Sequence, residues 1–247
     1  MHSLDEIRGF CVLCMVFFHA FFTIGYIFNW SIGNILYDFF APIEPFFAGT
    51  FILISGFSCN LSHSNLIRGF KLLAVALIIN IITIFITNKF DVDIAIYFGI
   101  LNLLSICMIL YGLLEKVKLK IPFKSGLFVT AILFLITYNI SYGYIGFAGP
   151  LSVTLPSSLY QTNNFFMFGF FNDSFQSADY FPILPWVFLF FFGSCLGQVA
   201  TNNKLSYSFY KLRFPPLSFL GRHALIIYIL HQPVILGILY LISLFIH

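Results

Sequence analysis

Of six histidines, His19 and His231 stand inside long apolar runs. A charged side chain at the middle of a membrane costs about 2.5–3.5 kcal/mol on insertion scales, so an ionisable group at that depth marks a functional position by default. Neutral imidazole can take a proton from a hydroxyl or amine, or hold an acyl group in passing. Either ability makes such a histidine a candidate for general-base or nucleophilic catalysis. Arg8 stands eleven residues before His19. At ~100° per residue, three helical turns return to nearly the same face. Arg8, Val12, Met15 and His19 therefore share one stripe, with His19 roughly 16 Å deeper than Arg8, about half the hydrocarbon thickness. His231 lies about ten residues from the inner end of the last apolar run, roughly 14 Å deep and close to the level of His19. Two imidazoles at one depth could share a site. Each could equally serve packing, His231 beside the kink that Pro233 causes by removing the hydrogen bond to the Ile229 carbonyl.

The elements that must position these residues are membrane helices. Hydrophobic residues make up 60% of the 247, aromatic residues 20% and charged residues only 9%, which excludes a water-soluble globular domain. Apolar windows long enough to span occur at about 7–28, 40–59, 68–87, 94–114, 126–143, 183–200 and 221–246. The first is too long, and too poor in preceding cations and small-residue cleavage sites, to be a removable signal peptide. Placing the N-terminus in the cytoplasm puts eleven of the twelve Lys and Arg residues at the inner face, including Lys120, Lys204, Lys211 and Arg213, and only Lys89 outside. Asp38, Glu44, Asp91, Asp93, Asp173 and Asp179 then face outward, and His2 and His247 lie on opposite sides. Between about 141 and 182 the chain is apolar but broken by Gly143, Gly146, Gly149, Pro150, Pro156, Gly169 and Pro182. One more full span there would invert the basic residues that follow, so an outer-face or re-entrant segment is expected. The expected class is all-α: one polytopic transmembrane helix-bundle domain over 1–247, with about seven spans.

The five cysteines, an odd number mostly inside apolar runs, read as small core residues. Nothing in the chain reads as a metal centre or a nucleic-acid surface, and the oligomeric state stays open, a homo-oligomer included.

Several stretches together resemble a known family. They are Leu4-Asp5-x-x-Arg8-Gly9 with the following His19; Ile54-Ser55-Gly56-Phe57-Ser58; Arg68-Gly69-x-Lys71-Leu72-Leu73; Phe98-Gly99-Ile100-Leu101; Asp179-Tyr180-Phe181-Pro182-Ile183-Leu184-Pro185-Trp186; Leu220-Gly221-Arg222; and Tyr228-Ile229-Leu230-His231-Gln232-Pro233. In this order they resemble the catalytic domain of the heparan-alpha-glucosaminide N-acetyltransferase family over nearly the whole chain. The Arg-to-His spacing is also similar to that of the transmembrane acyltransferases that O-acetylate surface polysaccharides. The resemblance implies an all-helical bundle that takes an acyl group from cytosolic acetyl-CoA and gives it to a saccharide or lipid-linked sugar across the membrane, with the first-helix histidine catalytic. In one departure, Asn102 stands where many relatives have a histidine, and an amide cannot relay protons near neutral pH.

Coenzyme A brings three phosphates, which call for Arg and Lys beside helix N-termini. Arg8, Arg68, Lys71 and Arg222 begin or precede inward-facing helix starts and are the candidates; Lys116 to Lys124 reads as a topology anchor. On the outer side Asp38, Glu44 and Asp179 can bond sugar hydroxyls or an amine, although Asp179, three residues before Pro182, equally suits a helix N-cap. Tyr180, Trp186 and Asn102 are further sugar or acyl contacts. The expected protein is an acyl-CoA-dependent acetyltransferase integral to a membrane, the bacterial plasma membrane fitting an envelope acceptor. The competing class is a proton-coupled transporter or flippase using His19 and His231 as relays.

Overall fold

The computed structural model describes residues 2–90, 92–119, 122–147, 149–202, 211 and 213–246. Asp91, Lys120, Lys204 and His247, four of the residues that orient the chain, lie outside the described residues. The protein is 75% helical. Its helices among the described residues are α1 (His2–Phe22), α2 (Ser31–Phe40), α3 (Glu44–Cys59), α4 (Asn65–Phe90), α5 (Ile100–Lys116), α6 (Phe123–Thr137), α7 (Ile183–Asn202), α8 (Pro215–Arg222) and α9 (Ala224–Ile246). A single antiparallel hairpin, β1 (Tyr144–Gly146) with β2 (Ser152–Thr154), pairs Ile145 with Val153.

Among the described residues six helical stretches are long and apolar enough to cross a membrane: His2–Ile27, Ser31–Cys59, Asn65–Phe90, Phe123–Tyr142, Ile183–Asn202 and Ala224–Phe245. They correspond to six of the seven expected windows. The seventh, α5, has 17 residues, about 25 Å at 1.5 Å per residue, the short end of spanning length. It starts six residues later than the 94–114 window. The cause is tertiary: residues 94–98 are tied to α4 and to 178–181, with the Ile94 and Ile96 N–H groups on the Thr87 and Thr83 hydroxyls at 3.3 and 3.1 Å, the Ala178 N–H on the Ala95 carbonyl at 2.9 Å and the Phe181 N–H on the Phe98 carbonyl at 3.2 Å. Among the described residues between 143 and 182 there is no helix of spanning length, only the hairpin and short 3-10 turns.

The chain divides into two compact units. The first holds 1–54 and 204–247, the second 55–203. In the first unit α1 packs on α2, α8 and α9. The α1–α8 contact is backbone to backbone: a Cβ on Gly9 would stand 1.9 Å from the Leu217 carbonyl oxygen, and one on Gly221 1.8 Å from that of Asp5. Small residues at such crossings suit membrane helices, whose association relies on close packing because lipid removes the hydrophobic drive. In the second unit α5 is the central helix, buried at Ile100 through Ser105 and again at Cys107, Met108 and Gly112, between α4 and α7. A helix apolar on every side belongs in such a core.

Candidate active site

The first unit assembles the histidine pair. His19, in the last turn of α1, and His231, near the middle of α9, face each other with ring centroids 5.0 Å apart and planes inclined by 46°. Phe18 meets His19 edge-on at 5.4 Å and packs on Tyr37 of α2 and Phe47 of α3 at 5.2 and 6.3 Å. An aromatic wall therefore backs the imidazole. His231 Nδ1 lies 2.6 Å from the Tyr228 carbonyl oxygen. A carbonyl only accepts, so Nδ1 carries the hydrogen, and in the neutral ring Nε2 holds the lone pair. The carbonyl used is that of Tyr228, one residue before the Ile229 carbonyl that Pro233 releases.

Beyond His19 the helix widens into a π-turn, Thr23–Ile27, closed by the Phe28 N–H on the Thr23 carbonyl at 3.1 Å. Single π-turns within helices are frequent at functional sites. The Thr23 hydroxyl donates to the His19 carbonyl at 2.8 Å and accepts from Gln232 Nε2 at 3.0 Å. Gly33 of α2 seats against the Gly25 backbone of this turn, where a Cβ would meet the Gly25 nitrogen at 2.2 Å.

At the other end of α1, Arg8 pairs with Asp5 at 3.1 Å. The buried Glu6 carboxylate accepts from the Arg213 and Phe214 N–H groups at 2.6 and 2.9 Å, holding the chain just before α8. Arg222, at the end of α8, gives its Nε–H to the Ser218 carbonyl at 3.3 Å. The Gly9–Gly221 crossing thus places Arg8 and Arg222 each one residue from a backbone contact. Asp38 is exposed near the end of α2; Glu44 opens α3, where the helix N-terminus favours a carboxylate.

The remaining candidates lie in the second unit. Arg68 and Lys71 are exposed on the second turn of α4, three residues apart and hence on one face. Asn102 and Asp179 are brought together, at the N-terminus of α5. Asn102 Oδ1 accepts from the Gly99 N–H and Asp179 Oδ2 from the Ile100 N–H, both at 3.1 Å. Asp179 is thus a helix cap, but for α5 rather than for the helix that follows it. Tyr180 donates its hydroxyl hydrogen to the Phe166 carbonyl at 2.6 Å, its ring lying 5.3 Å from Phe171 and 5.1 Å from Phe175. Burial in that aromatic nest pushes its proton affinity up. Trp186 packs between Phe134 and Phe181 at 5.8 and 5.4 Å. Among the described residues no three His, Cys, Asp or Glu side chains converge as metal ligands.

Three residues that the sequence reading passed over matter to this geometry: Glu6, Thr23 and Gln232. Thr23 stands four residues after His19, one helical turn on, and Gln232 is an amide inside an apolar run; both were readable signals. Glu6 gave none, because its partners are backbone groups about 207 residues away.

The sequence stretches that suggested a family meet in pairs. Gly9 meets Gly221, Gly56 sits on the Phe190 carbonyl of α7, and residues 95–100 run beside 178–181. A family model for the catalytic domain of heparan-alpha-glucosaminide N-acetyltransferase matches residues 1–233. The chain belongs to that family. The match runs through both units and includes every candidate site residue. It makes the protein a member of a membrane acetyltransferase family, and the spanning helices make it an integral membrane protein. No curated protein and no solved structure matches the chain.

Proposed function

We propose that this member of the heparan-alpha-glucosaminide N-acetyltransferase family acts as a single catalytic domain. It moves an acetyl group from cytosolic acetyl-CoA to a hydroxyl or amine of an extracytoplasmic saccharide or lipid-linked sugar, in a bacterial plasma membrane. The observation that supports this most is the His19–His231 pair, two imidazoles 5.0 Å apart on apolar helices within the matched region.

The donor's phosphates suit the cations present. Arg68 and Lys71 are exposed on one face of the second turn of a 26-residue helix, and Arg222 is exposed at the end of α8. Arg8, paired with Asp5, is the fourth cation. Each of Arg8, Arg68, Lys71 and Arg222 is proposed as a contact for a phosphate of acetyl-CoA, which supplies an activated acyl thioester. His19 then removes the proton from the attacking O–H or N–H; that atom bonds to the acyl carbon as the carbon–sulfur bond breaks, and the proton passes to the departing sulfur. Attack by His19 itself, followed by transfer from an acyl-imidazole, needs the same residue in the same place. His231, its Nδ1–H given to Tyr228, offers Nε2 as the second basic nitrogen of the pair. Exposed Asp38 and half-buried Glu44 are the carboxylates proposed to bond the sugar; Asn102, Asp179, Tyr180 and Trp186 hold α5 and its aromatic surroundings within the second unit.

Purified chain in lipid nanodiscs, given acetyl-CoA with an isotope-labelled acetyl group and a panel of amino sugars and lipid-linked sugars, should pass label to a sugar. Label retained on coenzyme A, together with proton-driven sugar movement in sealed vesicles, would replace transfer by transport.

A further inference from the structure

We propose that Gln232 is a positioning residue for the histidine pair, acting through Thr23; this rests on the acyl transfer proposed above. Thr23 is fully buried, and its hydroxyl has one hydrogen, which goes to the His19 carbonyl at 2.8 Å. The Thr23 oxygen is left as an acceptor, and Gln232 Nε2 lies 3.0 Å from it. With the hydroxyl hydrogen committed, only an N–H of Gln232 can make this bond, so the NH2 end faces Thr23 and Oε1 faces away.

The result is a continuous bridge from α9 to α1: Gln232 N–H to Thr23 oxygen, Thr23 O–H to His19 carbonyl. One end is the residue next to His231 and the other is His19 itself. The bridge fastens at the first residue of the π-turn, where the regular helical hydrogen-bond pattern changes. The two rings are on different helices, and beyond their own contact this bridge ties the turn that carries one to the turn that carries the other. Oε1 is buried and meets no protein donor among the described residues. A bridge that fixes how the two rings meet acts on the geometry of the reacting groups, so its contribution falls on the chemical step rather than on donor binding.

The test uses full-length protein in nanodiscs and four variants. Thr23→Val keeps shape and removes the hydroxyl; Thr23→Ser keeps the hydroxyl; Gln232→Met keeps length and removes the amide; the fourth combines Thr23→Val with Gln232→Met. Expected are a roughly 10- to 100-fold fall in kcat for Thr23→Val and Gln232→Met, KM for acetyl-CoA within about twofold of the parent, and near-parental kcat for Thr23→Ser. The double variant should be no worse than the poorer single one, since either change breaks the same bridge. Parental kcat in Gln232→Met, or losses that multiply in the double variant, would overturn the proposal. If Thr23→Val does not fold, Gln232→Met and Thr23→Ser still decide it. A second readout needs no activity. With only histidines isotope-labelled, the through-space magnetic resonance cross-peak between the His19 and His231 rings should be present in the parent and Thr23→Ser and weakened in Gln232→Met. An unchanged cross-peak in Gln232→Met overturns the bridge even if the parent transfers no acetyl group, a result that would itself count against the enzyme reading alone.

Discussion

His19 on α1 and His231 on α9 are separated by more than two hundred residues of chain, yet their rings lie 5.0 Å apart. Each helix reaches that point from its own end, α1 from Arg8 eleven residues earlier and α9 from Ala224 seven residues earlier. Arg8 and Arg222 flank the Gly9–Gly221 crossing, so the backbone contact that joins α1 to α8 also sets where both helices start toward the imidazoles.

Replacing His19 by Asn keeps size and polarity but removes the basic nitrogen. Loss of a general base costs about 10²–10⁴-fold in rate, and acetyl transfer by His19→Asn should fall by that much while expression, extraction and acetyl-CoA binding stay parental. His231→Asn should fall roughly tenfold or more, because it removes the second ring of the pair. Transfer assays on both purified variants, with thermal unfolding as the folding control, check this; near-parental transfer by His19→Asn would leave the fold without the proposed chemistry.

At Asp179 the effect should appear in stability first. Its carboxylate receives the Ile100 N–H at the start of the most buried helix of the second unit. Truncating such a cap typically costs about 0.5–2 kcal/mol, and a buried N–H left alone costs about 1–3. Asp179→Ala should therefore lower the unfolding temperature in detergent, and Asp179→Asn, which retains an acceptor oxygen, should lower it less. Equal unfolding temperatures for Asp179→Ala and the parent would show that the cap contributes nothing.

Gly9 and Gly221 give a steric test. A methyl group at either would overlap a carbonyl oxygen that belongs to the facing helix backbone and cannot swing aside. Forced overpacking of this kind costs typically about 1–3 kcal/mol. Gly9→Ala and Gly221→Ala should each reduce the yield of monodisperse protein on size-exclusion chromatography. Gly237→Ala, where a Cβ meets nothing within 4 Å, should match the parent.

What the sequence made legible was whatever is written in local period and depth. The apolar windows found the spanning helices because burying a backbone in lipid leaves few alternatives to a helix, and the depth of His19 below Arg8 picked out one ring of the histidine pair. The His231 level followed from counting along one helix. The start of α5 was not legible, since residues 94–99 are apolar enough to continue a helix and are held out of one by Asn80, Thr83 and Thr87 of α4 and by segment 177–181. The same holds for Asp179, whose acceptor role points at a helix 79 residues earlier rather than at the adjacent one. Tyr180 and Trp186 stand as candidate sugar or acyl contacts, and the rings they pack on, Phe171, Phe175, Phe134 and Phe181, were not readable. Long-range partners of this kind have no local signature.

Topology supplies an independent check. With eleven of twelve basic residues agreeing on the inner face and no helix of spanning length among the described residues between 143 and 182, the N-terminus is expected inside and the C-terminus outside. Single cysteines placed after Met1 and at the C-terminus of a cysteine-free background should label from opposite sides with an impermeant thiol reagent in oriented vesicles. Labelling of both from one side would contradict the seven-span count.

The proposed donor site separates binding from chemistry. Arg68, Lys71 and Arg222 are exposed cations with no reacting atom to serve, so their contact with phosphates should be the same in the ground and transition states. Interactions of that sort lower KM and leave kcat alone. A charge-assisted hydrogen bond is worth roughly 1.5–3 kcal/mol, and each replacement by Ala should weaken acetyl-CoA binding about tenfold or more while kcat at saturation changes little. Arg8→Ala should combine two effects, since its guanidinium also holds Asp5, whose carbonyl oxygen abuts Gly221. It is expected to weaken donor binding and to lower thermal stability together, whereas Arg68→Ala lowers binding alone. Isothermal titration with acetyl-CoA beside saturation kinetics distinguishes the two patterns. Unchanged binding in Arg68→Ala, Lys71→Ala and Arg222→Ala would remove the donor assignment while leaving the histidine pair untouched.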